Sequence, residues 1–305
     1  TIAPKVLKAN NLFIAKEIRS KIQKITDGSG LLRDDDWESG RSTEVPDILP
    51  TGEVGEIRKL INEIADNPQS SIPQLFNARG KSFKYITKAA DEIRSQLNGN
   101  NITYVVNRNI NYTNICVYSC SFCAFSKSTG AKKLRGASYL LELKEIQSRV
   151  REAIRRGATE VCLQGGIHPK FDGNYYLDVV KAIRKVSPDI HIHAFSPLEI
   201  FQGAQTLGLT LEEYLPILKE AGLNSLPGTA AEILHDDVRD IICPDKLNTA
   251  DWLSVMDAAH SCGLKSTATI MFGHVETYDH IAEHLINIKN QQIKSGGFTE
   301  FVPLP

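Results

Sequence analysis

The sequence lacks the features that would carry a chain to a membrane, a polyanion or an oxidising compartment. Its 305 residues hold no apolar run near the roughly 18 needed to cross a bilayer, and no basic, apolar, small-residue order marks a signal peptide. Charge is balanced, with 35 Lys and Arg against 36 Asp and Glu, so no global field steers the protein toward nucleic acid or anionic lipid. The basic residues Lys127, Lys132, Lys133 and Arg135 read as a charged surface loop. Neither a Walker loop nor a GxGxxG follows any apparent strand, which leaves nucleoside triphosphate or dinucleotide use without support. Six cysteines are too few for a disulfide scaffold. These absences predict no nucleic-acid and no membrane partner and a cytoplasmic setting; the first residue is Thr1, so a plastid setting stays open.

What is present is an ordinary globular composition, 42% hydrophobic and 23% charged. Apolar residues at helical spacing between Lys5 and Ile25 predict an amphipathic helix, and the aperiodic stretch from Thr26 to Gly52 a linker. Helices are expected over Val54–Ala65 and Phe83–Leu97. After Asn100 the pattern alternates. Strands are expected at Thr103–Val106, Glu160–Leu163, Ile190–Ala194, Ser225–Leu226, Lys265–Met271 and Phe298–Val302, with helices at Glu145–Arg155, Tyr175–Val186, Leu211–Ala221 and Asp251–Cys262. Such alternation predicts an α/β fold, a partial TIM-type (β/α)6 barrel with an N-terminal helical extension, divided into residues 1–52 and a barrel domain over 53–305. Function in such barrels gathers where strands end.

Cys116, Cys120 and Cys123 crowd into one short loop after a strand. Four-iron clusters usually take four cysteines, so three thiolates on one turn imply a cluster with one iron left open for a small molecule. A zinc site completed by a histidine or by Cys162, Cys243 or Cys262 is the rival, but zinc motifs generally pair CxxC with a second such pair, and none exists here. Cys162, Cys243 and Cys262 read as small buried hydrophobes.

The spacing of the three cysteines, with Phe122 before the last, resembles the radical S-adenosylmethionine superfamily. That resemblance implies a 4Fe-4S cluster held by Cys116, Cys120 and Cys123, S-adenosylmethionine at the open iron, Phe122 beside the adenine and the pair Gly165 and Gly166 near the methionyl amine. The strings YVVNRNINYTNIC, EVCLQGGIHP, HIHAFSPLEI, LPGTAAEIL, TATIMFGHVE and GGFTEFVPL resemble one branch, the tyrosine-using part of the FO synthase family, over Glu53 to Leu304. The resemblance implies transfer of a 4-hydroxybenzyl group from L-tyrosine to 5-amino-6-(D-ribitylamino)uracil, a protein reductant, and a cyclising FO synthase subunit or domain as partner.

A polyol, a pyrimidine and an amino acid require convergent polar groups. The strand ends supply Asn107, Arg108, Asn109, Gln164, His193, Ser196, Thr229, Thr269, His274 and Glu300, with Glu232 a candidate ribose or methionyl ligand and Ser196 a candidate cofactor contact. His191 and His193 alternate with Ile190 and Ile192 and so share one face of a strand, interior or shell. The family continues past the equivalent of Pro305, and residues 1–50 do not match it; a truncated barrel wall and an inter-domain segment of a fused enzyme are the expectations. Rival readings are an aminofutalosine synthase-like or cyclising radical enzyme, and a noncatalytic iron–sulfur or zinc module.

Overall fold

Short apolar strands separated by amphipathic helices dictate parallel pairing, because each helix returns the chain to the same end before the next strand begins. The computed structural model describes residues 52–123 and 137–305. Within them β1 (Asn107–Asn111), β2 (Glu160–Gln164), β3 (His191–Ala194), β4 (Ser225–Leu226), β5 (Lys265–Met271) and β6 (Phe298–Leu304) lie side by side in chain order, every pair parallel. The sheet is a half-barrel of TIM type. Helices α1 (Gly52–Glu63), α2 (Pro68–Phe76) and α3 (Gly80–Asn98) precede it. Its crossovers carry α4 (Leu143–Arg155), α5 (Gly173–Arg184), α6 (Pro197–Leu207), α7 (Leu211–Ala221), α8 (Asp236–Ile242), α9 (Thr249–Ser261) and α10 (Tyr278–Ser295).

The two faces of the strands differ in chemistry. Ile110, Val161, Leu163, Ile192 and Ala194 are fully buried against Ile146, Val150, Val179, Val180 and Ile183 of the helical shell. Each of the Ile, Val and Leu side chains contributes about 1.5–3 kcal/mol through burial. The alternate positions, Asn109, Asn111, Cys162, Gln164 and His193, turn to the concave face. His191 and His193 therefore face the interior, both against the Oγ of Ser225 at 2.7 Å.

Local chemistry fixes where helices start. Ser196 caps α6 in a reciprocal capping box with Glu199, with Pro197 following, and Thr210 caps α7 in the same way with Glu213. At the far end of α7, Gly222 takes φ +116°, a left-handed stop that a side chain would resist.

Three expectations change. The first strand is Asn107–Asn111, not Thr103–Val106: the latter residues precede the sheet, and Ile102 and Tyr104 are 90% and 86% exposed. Propensity favoured the β-branched run, whereas the pleat follows the alternation of interior Asn with Arg108 and Ile110. Helices α2, α6, α8 and α10 were not anticipated, and Phe298–Val302 extends to Leu304. The helix expected over Lys5–Ile25, the linker after it and the basic residues Lys127, Lys132, Lys133 and Arg135 lie outside the described residues. Among the described residues no helix is long and apolar enough to cross a membrane.

Candidate active site

The loop after β1 is tied down along its length. Thr113 accepts the N–H of Gly166 on its carbonyl (3.0 Å), Val117 donates its N–H to the carbonyl of Ile167 (2.9 Å), and Ser121 donates its N–H to the carbonyl of Ile242 (2.9 Å). Asn114 clamps the returning chain, donating from Nδ2 to the Ala137 carbonyl (3.0 Å) and accepting the Tyr139 N–H (2.9 Å). This places Cys116, Cys120 and Cys123 on the wall of one cavity of about 340 Å³, at the C-terminal ends of the strands. No disulfide joins any of the six cysteines.

Gly165 and Gly166, directly after β2, stand on the same wall. A Cβ at Gly165 would enter the Tyr112 ring, and one at Gly166 would strike the Ile115 carbonyl just before Cys116. The pair is needed for the close packing of the β2 end on the cysteine loop.

Glu199 binds the strand ends together. It is 1% exposed and borders the cavity. Tyr112, after β1, donates its hydroxyl to Oε1, and the N–H of Gly165, after β2, donates to the same oxygen at 3.2 Å. Ser196, after β3, donates its N–H (2.7 Å) and its hydroxyl (2.6 Å) to Oε2. Burial pushes the Glu199 carboxyl up, the donors from Ser196, Tyr112 and Gly165 pull it back, and the balance lies at about 7.

A second carboxylate sits farther along the sheet. Glu232, 7% exposed, accepts the Lys246 ammonium at 2.6 Å, and Lys246 reaches the cavity wall. Backbone strain collects here too: among the described residues Phe195, Ala230 and Glu232 are the non-glycine residues with positive φ, and all follow β3 or β4.

The structure separates the candidate residues into groups. Gln164, Ser196 and Thr229 border the cavity together with Asn109 and Asn111, and the Thr229 hydroxyl is buried without a hydrogen-bond partner. Phe122 lies beside it, its ring 5.4 Å from the Lys246 ammonium. His193 lies deeper on the concave face, and burial with His191 nearby lowers its pKa to about 4. Asn107 and Arg108 stand apart, because β1 begins rather than ends there: Asn107 donates to Glu160 at 2.6 Å, and Arg108 turns to the shell 3.8 Å from Glu152. Thr269 spends its hydroxyl on the Gly228 carbonyl at 2.6 Å, His274 folds back on the Met271 carbonyl at 3.0 Å, and Glu300 is exposed on the edge strand. None of these five borders the cavity.

Sequence reasoning missed Glu199 and Lys246. The S-P-L-E string marks Glu199 as a capping residue, but nothing in it shows that the same oxygens reach Gly165 and Tyr112. Lys246 offers no local signal at all.

The cysteines suit a cluster. Among the described residues no three Cys, His, Asp or Glu side chains converge on a point that one ion could occupy. The three thiols share one cavity wall on a single loop, a donor set of soft thiolates of the kind that holds an iron–sulfur cluster. The Ile167 N–H points at the Cys116 sulfur at 3.4 Å, a contact of the kind that supports cluster thiolates. Burial pushes the Cys120 thiol up to about 11 while Lys246 opposes the shift, and a coordinated metal deprotonates such a thiol outright.

Residues 110–286 match the model of the radical SAM superfamily. The chain is 46% identical over 250 residues, 81% of its length and 67% of the relative's, to the 5-amino-6-(D-ribitylamino)uracil–L-tyrosine 4-hydroxyphenyl transferase of Methanothermobacter thermautotrophicus. It is 40% identical over 274 residues, 88% of its length and 31% of the relative's, to the FO synthase of Streptomyces avermitilis. It spans between 55 and 67% of the curated transferases it matches. The FeFe-hydrogenase maturase HydG from Carboxydothermus hydrogenoformans has a similar fold, with TM-score 0.61, 18% identity and coverage of 82% of this chain and 60% of that one.

Proposed function

The chain belongs to the radical SAM superfamily and, within it, to the 5-amino-6-(D-ribitylamino)uracil–L-tyrosine 4-hydroxyphenyl transferase family, and from that premise we propose that it cleaves L-tyrosine and joins the 4-hydroxybenzyl group to 5-amino-6-(D-ribitylamino)uracil in making the deazaflavin FO. The observation that carries the reading is the gathering of Cys116, Cys120, Cys123, Gly165 and Gly166 on one cavity wall.

Cys116, Cys120 and Cys123 would hold a 4Fe-4S cluster, which when bound would supply one-electron reductive chemistry toward S-adenosylmethionine. The chain's own groups do the rest. Gly165 and Gly166 hold the β2 end against the cysteine loop on the wall where the methionyl amine would bind, Phe122 offers a ring face to the adenine, and Ser196 and Lys246, the latter paired with Glu232 behind it, border the same space. Asn109, Asn111 and Gln164 present donors and acceptors to a polar substrate, with Thr229 on the same wall and His193 farther in. Tyr139 and Leu198 on the wall help to exclude water from radical chemistry. Asn107, Arg108, Thr269, His274 and Glu300 fall outside this assignment. A protein reductant, a cyclising FO synthase subunit or domain and a cytoplasmic setting belong to the same proposal.

The test is anaerobic reconstitution followed by reaction with dithionite, S-adenosylmethionine, tyrosine and the ribitylaminouracil. Mass spectrometry is expected to find 5′-deoxyadenosine and the hydroxybenzyl adduct, and Cys116→Ala, Cys120→Ala or Cys123→Ala each to abolish both. Deoxyadenosine formed without consumption of tyrosine would overturn the substrate assignment; undiminished formation by the alanine variants would overturn the whole reading.

A further inference from the structure

Beside the cysteine loop stands a buried ion pair. Lys246, between α8 and α9, has 13% of its side chain exposed and Glu232 9%, with 2.6 Å between Nζ and Oε1. Burying both ions costs desolvation that their attraction only roughly offsets, so fold stability alone gives little reason for the pair. Glu232 is also held at φ +46°, a left-handed backbone disfavoured for a residue with a side chain, while its carbonyl accepts the Met271 N–H at 2.9 Å.

The pair has a direction. Nζ lies 5.4 Å from the Phe122 ring centroid, one residue before Cys123, and on the cavity wall that Cys120 shares. The carboxylate of Glu232, 2.6 Å from Nζ, is the counter-charge that holds the ammonium in place. Lys246 lines that wall together with Cys116, Cys120 and Cys123, so its ammonium faces the space the cysteines share.

We propose that Lys246 tunes the reduction potential of the cluster held by Cys116, Cys120 and Cys123, and that Glu232 acts through it as a positioning residue and counter-charge. One-electron reduction makes a cluster more negative. A fixed cation in a wall of low dielectric stabilises that reduced form over the oxidised one and raises the potential, while the carboxylate behind it moderates the rise. The inference rests on the cluster reading above and is independent of which substrate follows.

The experiment is an EPR-monitored redox titration of the anaerobically reconstituted chain, with iron content measured beside it. Lys246→Met is expected to shift the potential to more negative values, Glu232→Gln to less negative values, and Lys246→Arg to leave it near the parental value. Parental potentials in both the Met and Gln variants, or shifts of the same sign, overturn the proposal. If Lys246→Met fails to retain iron, Glu232→Gln decides alone: a positive shift supports tuning, and none or a negative one refutes it. A parental chain that takes up no iron sinks this inference and the cluster reading together. Four irons without action on tyrosine sinks only the transferase assignment.

Discussion

Glu199 borders the cavity and Glu232 lies behind its Lys246, both are buried, and they are satisfied in opposite ways. Glu199 collects neutral donors from the ends of β1, β2 and β3, whereas Glu232 answers one ammonium. The first arrangement is a joint, because the donors belong to different strands and share one acceptor. The second is a charge device, replaceable as a unit because its two members serve chiefly each other.

The largest effect should come from breaking the joint. Glu199→Ala leaves the Tyr112 hydroxyl and the N–H groups of Gly165 and Ser196 buried without their acceptor, and at ~1–3 kcal/mol for each orphan the loss is roughly 5 kcal/mol in urea unfolding. A loss below about 1 kcal/mol would show that the strand ends hold themselves.

The next effect is in pH. Glu199 titrates at about 7 in the folded chain, above its ordinary range. Below about pH 4 both states carry the proton; from there to about 7 the unfolded chain releases it while the folded chain keeps it, so stability falls as pH rises across that window and is flat beyond it. The drop amounts to about 3 kcal/mol. Glu199→Gln does not titrate, and the difference in unfolding free energy between parent and variant should trace that fall; a difference independent of pH would remove the argument.

The smallest effect sharpens the contrast. Lys246→Met or Glu232→Gln alone strands a buried partner and should cost about 3 kcal/mol, but the double variant should cost only about 1 kcal/mol. Additive costs in the cycle would make this pair a joint as well.

Much of the fold was legible because apolar alternation reports the helical shell directly: Glu160–Leu163, Lys265–Met271 and Leu211–Ala221 needed little or no change. The first strand was misplaced because its interior face is asparagine, and a polar interior hides the period-two signal that burial normally writes into sequence. The cysteine loop and the glycine pair were legible because their chemistry is local. Glu199 and Lys246 were not, since each acts on groups brought close only by the closing of the sheet.

The Thr229 hydroxyl, sealed in the cavity wall without a hydrogen-bond partner, leaves about 1–3 kcal/mol of stability unrealised at the rim of the chamber.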